Sequence, residues 1–193
     1  MLNYPFEITK YSGGIITHGT FNGWSFYTGS GCSANSQYIQ GSHGHPGVGP
    51  QGASASTALE HLNEGTVEFS STLASTYNAG AAYVIGTMSV SLWDRLSITS
   101  DSASVFINGS WQSVLSGFNL RSYDNAPVNF SIKASSSQLV LIINNTEYKA
   151  LFEPLEGMTN NISLSVSCQG INRGYNFLAK TTLYAPSIIK IYT

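Results

Sequence analysis

Charge is what this chain has least of. Eight Lys and Arg stand against ten Asp and Glu in 193 residues, 9% of the chain, for a net charge of −2. An ordinary globular domain carries about a quarter charged residues. No Lys/Arg cluster offers the several phosphate contacts that nucleic-acid affinity requires, so nucleic acid is excluded as a partner. Long apolar runs are missing too. The longest, Leu139-Val140-Leu141-Ile142-Ile143, is far short of the ~20 residues that span a bilayer as a helix, so membrane insertion is not expected. Met1 to Thr20 has one lysine, Lys10, and no apolar core of a secretory signal. The two cysteines, Cys32 and Cys168, are too few for a disulfide scaffold and lack metal-type spacing. They read either as two thiols or as one disulfide.

Neutral polar residues take the place of charge: 29 Ser, 15 Thr, 15 Asn and 19 Gly make up 78 of the 193 residues. The 9 Phe, 11 Tyr and 3 Trp supply bodies large enough to build a core, which excludes bulk disorder. The length fits one domain over residues 1–193. One helix is expected, Ser54 to Asn63, where Ala55, Leu59 and Leu62 recur at i, i+4, i+7 between a Ser54 cap and a Gly65 stop.

Period-two alternation is the stronger signal. Val67 and Phe69 alternate with Thr66, Glu68 and Ser70, and Val105 and Ile107 with Ser104 and Phe106. Ala82 to Trp93 reads as a long strand bent at Gly86. Further strands are expected at 96–99, 128–133, 139–144, 147–152, 162–167, 175–183 and 187–192. Asn108-Gly109 and Asn144-Asn145 each sit between two such runs, where positive φ at both central residues makes a type I′ hairpin. Gly41 to Gly52 (GSHGHPGVGPQG) holds five glycines and two prolines in twelve residues and reads as a loop without ladder. The expectation is an all-β antiparallel sandwich, jelly-roll-like or lectin-like, of ten to twelve strands and at most one short helix.

Catalytic spacings are absent: no G-x-S-x-G, no H-E-x-x-H, no phosphate loop and no C-x-x-C. Nothing singles out a carboxylate pair for glycoside hydrolysis, and Cys32 with His43 or His45 is a pairing any Cys and His would allow. The chain is therefore expected not to be an enzyme. In His43-Gly44-His45, alternate residues of an extended segment share a side. Three chains meeting at an axis would offer six nitrogens, enough for a transition metal. The motif resembles trimeric bacteriophage tail-fibre tips, whose His-x-His motifs in Gly-rich stretches bind metal on the three-fold axis. That resemblance implies a homotrimer, a transition metal at its axis, no other cofactor, and a virion-surface or extracellular location.

Aromatic residues beside turns, namely Trp24, Tyr27, Trp111, Tyr123 and Tyr175, together with Arg121-Ser122-Tyr123-Asp124-Asn125, suit a sugar ring: an apolar face to cover and hydroxyls to pair. The expected ligand-binding set is Trp24, Tyr27, Trp111, Arg121, Tyr123, Asp124 and Asn125. The plain alternative is an Arg121–Asp124 surface pair with Trp24 and Trp111 in the core. Phe21-Asn22-Gly23-Trp24 and the hairpins resemble β-sandwich carbohydrate-binding modules and concanavalin-like lectin domains. The function expected is a receptor-binding tip for a cell-surface glycan. The alternative is a structural virion component, with a glycan-processing hydrolase behind both.

Overall fold

Alternating residues pair into ladders throughout, and the computed structural model is all-β. It describes residues 2–4, 11–12, 19–21, 24–35, 37–44, 50–174, 176–186 and 189–192. In chain order the first strands are β1 (Leu2–Tyr4), β2 (Tyr11–Ser12), β3 (Gly19–Phe21), β4 (Trp24–Thr28), β5 (Ser33–Ala34), β6 (Tyr38–Gly44) and β7 (Gln51–Ala58). Next come β8 (Thr66–Tyr77), β9 (Ala81–Leu92), β10 (Leu96–Ile98), β11 (Ser102–Ile107), β12 (Ser110–Ser116) and β13 (Ser122–Tyr123). The last are β14 (Val128–Ser135), β15 (Gln138–Ile143), β16 (Thr146–Leu151), β17 (Asn161–Asn172), β18 (Leu178–Tyr184) and β19 (Ile189–Tyr192).

Two antiparallel sheets result. The first runs β16-β15-β14-β8-β18-β6-β5-β2, with β19 also beside β8 and β1 beside β19. The second runs β12-β11-β10-β9-β17-β7-β4-β3, with β13 added to β9. The segments outnumber the ten to twelve expected because several, such as β2, β5 and β13, are two residues long and carry no period to read. Long strands also serve more than one partner: β8 pairs with β18 through Leu73–Tyr77 and with β19 through Thr66–Glu68.

Inward positions of both sheets form the core. Phe69, Ile132 and Leu139 from the first meet Leu92, Ile98 and Leu164 from the second, all 3% exposed or less. Each such side chain contributes roughly 1.5–3 kcal/mol by leaving water. Farther along, the layers close up around a smaller cluster of Val84, Cys168, Phe177 and Ala179. Facing Cα atoms there come within 8 Å, closer than the ~10 Å usual between packed sheets. Gly86 is the reason they can. A Cβ on it would sit 2.3 Å from both Ser75 Oγ and Thr181 Cγ2, so the expected bend is a point of close approach. Ser75 Oγ and Thr181 Oγ1 hydrogen-bond at 2.9 Å, and Ser75 Oγ donates to the Ser122 carbonyl at 3.3 Å.

Both expected hairpins form, with positive φ at Asn108 (53°), Gly109 (78°), Asn144 (46°) and Asn145 (69°). The expected helix does not. Ser54–Ala58 lies in β7, laddered to β4 and β17, and the chain then turns at Glu60–Asn63 with His61 at φ 61°. Leu59 and Leu62 are buried as the helical spacing required, but the turn buries them, and the Trp93 indole donates to the Leu62 carbonyl at 2.5 Å. Ladder partners on both sides of β7 outweigh a marginal ten-residue helix. The glycine-rich stretch is corrected as well. Gly41–Gly44 belong to β6, paired with Leu178–Thr181, and Gln51 and Gly52 open β7. Residues 45–49 lie outside the described residues. Gly41 serves close packing, since a Cβ there would meet the Gln51 carbonyl oxygen at 2.7 Å.

Candidate ligand-binding face

Among the described residues, the nine strands of the second sheet contain no Asp, Glu, Lys, Arg or His. Their inward positions are apolar, as in β9 where Val84, Met88, Val90 and Leu92 are buried. Their outward positions are largely serine. Printed strand by strand this is only Ser-x-Ser, but the register aligns it. Ser25 pairs with Ser56, Ser56 with Ser163, Ser163 with Ser91, Ser91 with Ser97, Ser97 with Ser104, and Ser104 with Ser113. One serine per strand crosses the sheet from β4 to β12, and none of the seven is buried. Beside it Tyr27, Ser54, Ser165 and Ser89 form a second row, with 2.6 Å between the Ser165 and Ser89 hydroxyl oxygens.

Trp111 stands two residues from Ser113 on β12 and is 52% exposed; Tyr27 stands two residues from Ser25 on β4 and is 43% exposed. Side chains two apart on a strand share a face, so an aromatic ring lies at each end of the serine row. The Trp111 ring meets Phe106 edge-on at 5.6 Å, and the Arg95 guanidinium lies 5.2 Å from the Phe106 centroid. Arg95 is held there by donating to the Glu156 carbonyl at 3.1 Å and the Asp94 carbonyl at 3.0 Å. A cavity of about 310 Å³ opens beside this stack, lined by Arg95, Phe106, Asn108, Glu153 and Glu156 among others.

Arg121 reaches the same face. Its guanidinium donates to Asp101 Oδ2 at 2.7 Å over a cavity of about 330 Å³ that Thr87, Ser89, Ser165 and Ser167 also line. The guanidinium beside Asp101 holds that carboxyl below the usual carboxylate range. Tyr123, 39% exposed, pairs with Ile85 two positions before Thr87.

Tyr27, Trp111, Arg121 and Tyr123 are thus brought to one sheet face, spread across it and not gathered in a single pocket. Trp24 is a correction: at 1% exposure it points inward from β4, opposite to Tyr27. Asp124 is exposed, and its Oδ1 accepts the Val84 N–H at 3.0 Å. Asp124 and Asn125, at φ 39° and 66°, make a third tight turn, closed by Ala126 N–H donating to the Tyr123 carbonyl at 2.6 Å. The Asn125 N–H crosses to the Ser75 carbonyl, so this turn ties the two sheets together. The Arg121–Asp124 pair does not form, Asp101 being the partner. Tyr175 and His45 lie outside the described residues.

His43 bridges the sheets: its Nδ1 accepts the Gly170 N–H at 2.9 Å and its ring meets Phe177 edge-on at 4.9 Å. That leaves Nε2 for any other partner. Among the described residues no group of three or more His, Cys, Asp or Glu could hold a metal ion. Cys32 and Cys168 are both buried free thiols. Burial pushes the Cys168 thiol up to about 11, the opposite of an activated nucleophile. Arg95, Phe106 and the serine rows were missed from sequence. The Ser-x-Ser period of 163–167 and 89–91 is visible there, but not that the rows line up.

No protein-family model matches the sequence, and no curated protein is similar to it. Among solved structures the chain is similar to the lectin UEA-II complexed with galactose, with a TM-score of 0.51, 8% identity, and 98% of each chain covered. It is also similar to the CBM2 module of a Lactobacillus casei BL23 phage J-1 evolved Dit (TM-score 0.42, 11% identity, 98% of this chain and 88% of that one). In a sialidase (TM-score 0.41, 11% identity) the match covers 86% of this chain but spans only 17% of that one. The likeness to the lectin establishes the fold, an antiparallel β-sandwich of the same two-sheet kind.

Proposed function

We propose that this protein is a non-enzymatic glycan-binding module whose contact surface is the outer face of the second sheet. The observation that carries the reading is that Trp111, Tyr27, Tyr123 and Arg121 lie on one hydroxyl-bearing face whose strands carry no charged residue. Aromatic rings cover the apolar face of a sugar at low entropic cost, and serine hydroxyls donate to and accept from its hydroxyls. Asp101 is committed to Arg121 and Asp94 to Thr159 and Asn161, which leaves neither of these two aspartates free for hydrolysis. The sandwich shared with a galactose-complexed lectin supports the same reading.

The module serves as the tip of a phage fibre or similar extracellular appendage, self-associating as a homotrimer. Three weak sites on one particle would add avidity, and His43 with His45 would pin the axis through a transition metal. A broad glycan array with the parent and Trp111→Ala tests the binding. Selective retention that weakens at least tenfold in the variant is expected, and no retention of any glycan overturns the reading. Light scattering with and without chelator tests the assembly. Three 20.7 kDa chains, about 62 kDa, loosening on chelation is the expected result, and a chelator-insensitive monomer overturns both trimer and metal.

A further inference from the structure

The glycan reading leaves open what kind of glycan, and the face narrows it. Seven serines stand one per strand from β4 to β12. Six strand spacings of about 4.8 Å make the row about 29 Å long. A site for a terminal sugar needs one ring platform and a few donors, whereas this face repeats the same hydroxyl at the same interval and places a ring at each end. Tyr27 and Trp111 lie on opposite flanks of the row, so the track runs slightly oblique to it, past Ser163, Ser91 and Ser97 in the middle. At the Trp111 end, the cavity beside Arg95 and Phe106 supplies charged and amide groups for the last sugar.

Between its two ends the track is neutral. No strand under it carries a charged residue, and the Arg121 guanidinium beside it is already paired with Asp101. An acidic polymer would find no row of cations to meet its carboxylates. A neutral polymer would exchange water for hydroxyls without stranding a charge. An extended pyranose chain advances by close to one strand spacing per sugar, so successive sugars fall on successive serines.

We infer that the outer face of the second sheet binds a neutral, linear, extended polysaccharide laid across the strands, from the Trp111–Phe106–Arg95 stack at one edge to Tyr27 at the other. This rests on the glycan-binding reading and adds to it the class of glycan, its direction and its length.

The test is calorimetric titration of the full chain with β-1,4-linked gluco- and manno-oligosaccharides and β-1,3-linked gluco-oligosaccharides of two to seven sugars, with hexagalacturonate as the charged probe. At least one neutral series should gain affinity with each added sugar up to about six and then level off, and hexagalacturonate should bind at least tenfold more weakly than the neutral hexamer. The triple variant Ser91→Ala, Ser163→Ala and Ser97→Ala should lose about tenfold for the hexamer and little for the disaccharide, each hydroxyl contributing a modest hydrogen bond. Trp111→Ala and Tyr27→Ala, at exposed positions that leave the core intact, should each weaken the hexamer and keep the test decisive if the triple variant folds poorly. Affinity that stops rising at the disaccharide, hexagalacturonate binding as tightly as the neutral hexamer, or a triple variant equal to the parent would overturn the inference. If the array yields a branched or terminal glycan that depends on Trp111 while no linear series binds, the track fails and the glycan reading stands. If neither binds, both fall.

Discussion

The two sheets have similar insides and unlike outsides. Inward, both present Val, Leu, Ile and Phe at alternate positions. Outward, the first sheet carries charge: all the lysines among the described residues, Lys133, Lys149, Lys180 and Lys190, lie on its strands, with Glu68 and Glu147. Glu68 pairs across the ladder with Lys133 on one side and Lys190 on the other, and the Tyr192 hydroxyl donates to it at 3.2 Å. Inward packing is indifferent to that contrast, so it bears on what each face meets. A charged face holds its water and resists stray sheet pairing. An uncharged hydroxyl face gives up its water at lower cost and can exchange it for a ligand's hydroxyls.

The shared inside is where the largest effects should lie. Ile132→Ala in the first sheet and Leu92→Ala in the second, both fully buried, should each cost about 2–5 kcal/mol. Comparable losses in urea unfolding would show that the sheets differ only outside. Gly86→Ala should cost about 1–3 kcal/mol by overpacking the narrow end against Ser75 and Thr181. A neutral result there would show that the layers can separate. On the outside the contrast becomes one of binding. Ser163→Lys, in the middle of the hydroxyl row, should lower glycan affinity at least tenfold, while Ser131→Lys on the first sheet should leave it unchanged. Equal effects would dissolve the distinction between the faces.

The smallest effect concerns Cys168. Its folded pKa of about 11 lies above the ordinary thiol value of about 8.5. The thiol's contribution to stability is therefore complete below about pH 8.5 and is lost as pH rises through about 11. Alkylation of the folded protein at pH 8 should be far slower than of the unfolded chain, and fast labelling would show that the narrow end opens.

Much of this was legible before any fold was known. Val67 and Phe69 against Glu68 and Ser70, or Leu164 and Val166 against Ser163 and Ser165, declare strand and face at once, because successive side chains on a strand point to opposite sides. Asn108-Gly109 declares its hairpin because few other pairs accept two positive φ angles. The misreadings have one cause. Ala55, Leu59 and Leu62 fit helical spacing as well as they fit a strand followed by a turn, and only the ladders to β4 and β17 decide between them. Trp24 and Tyr27 look alike from sequence, yet an odd offset along β4 sends one into the core and the other to solvent.

By itself, then, the sequence determined the class of fold, the turns and the absence of charge from nine strands, all consequences of local geometry and composition. Only the tertiary structure decided that those nine strands share one sheet, that Ser25 and Ser113, far apart in the chain, end a single row, and that Arg121 meets Asp101 and not its near neighbour Asp124. Register between distant strands is set by which inward residues must interdigitate with the opposite sheet, and a one-residue slip would turn every serine of a strand inward.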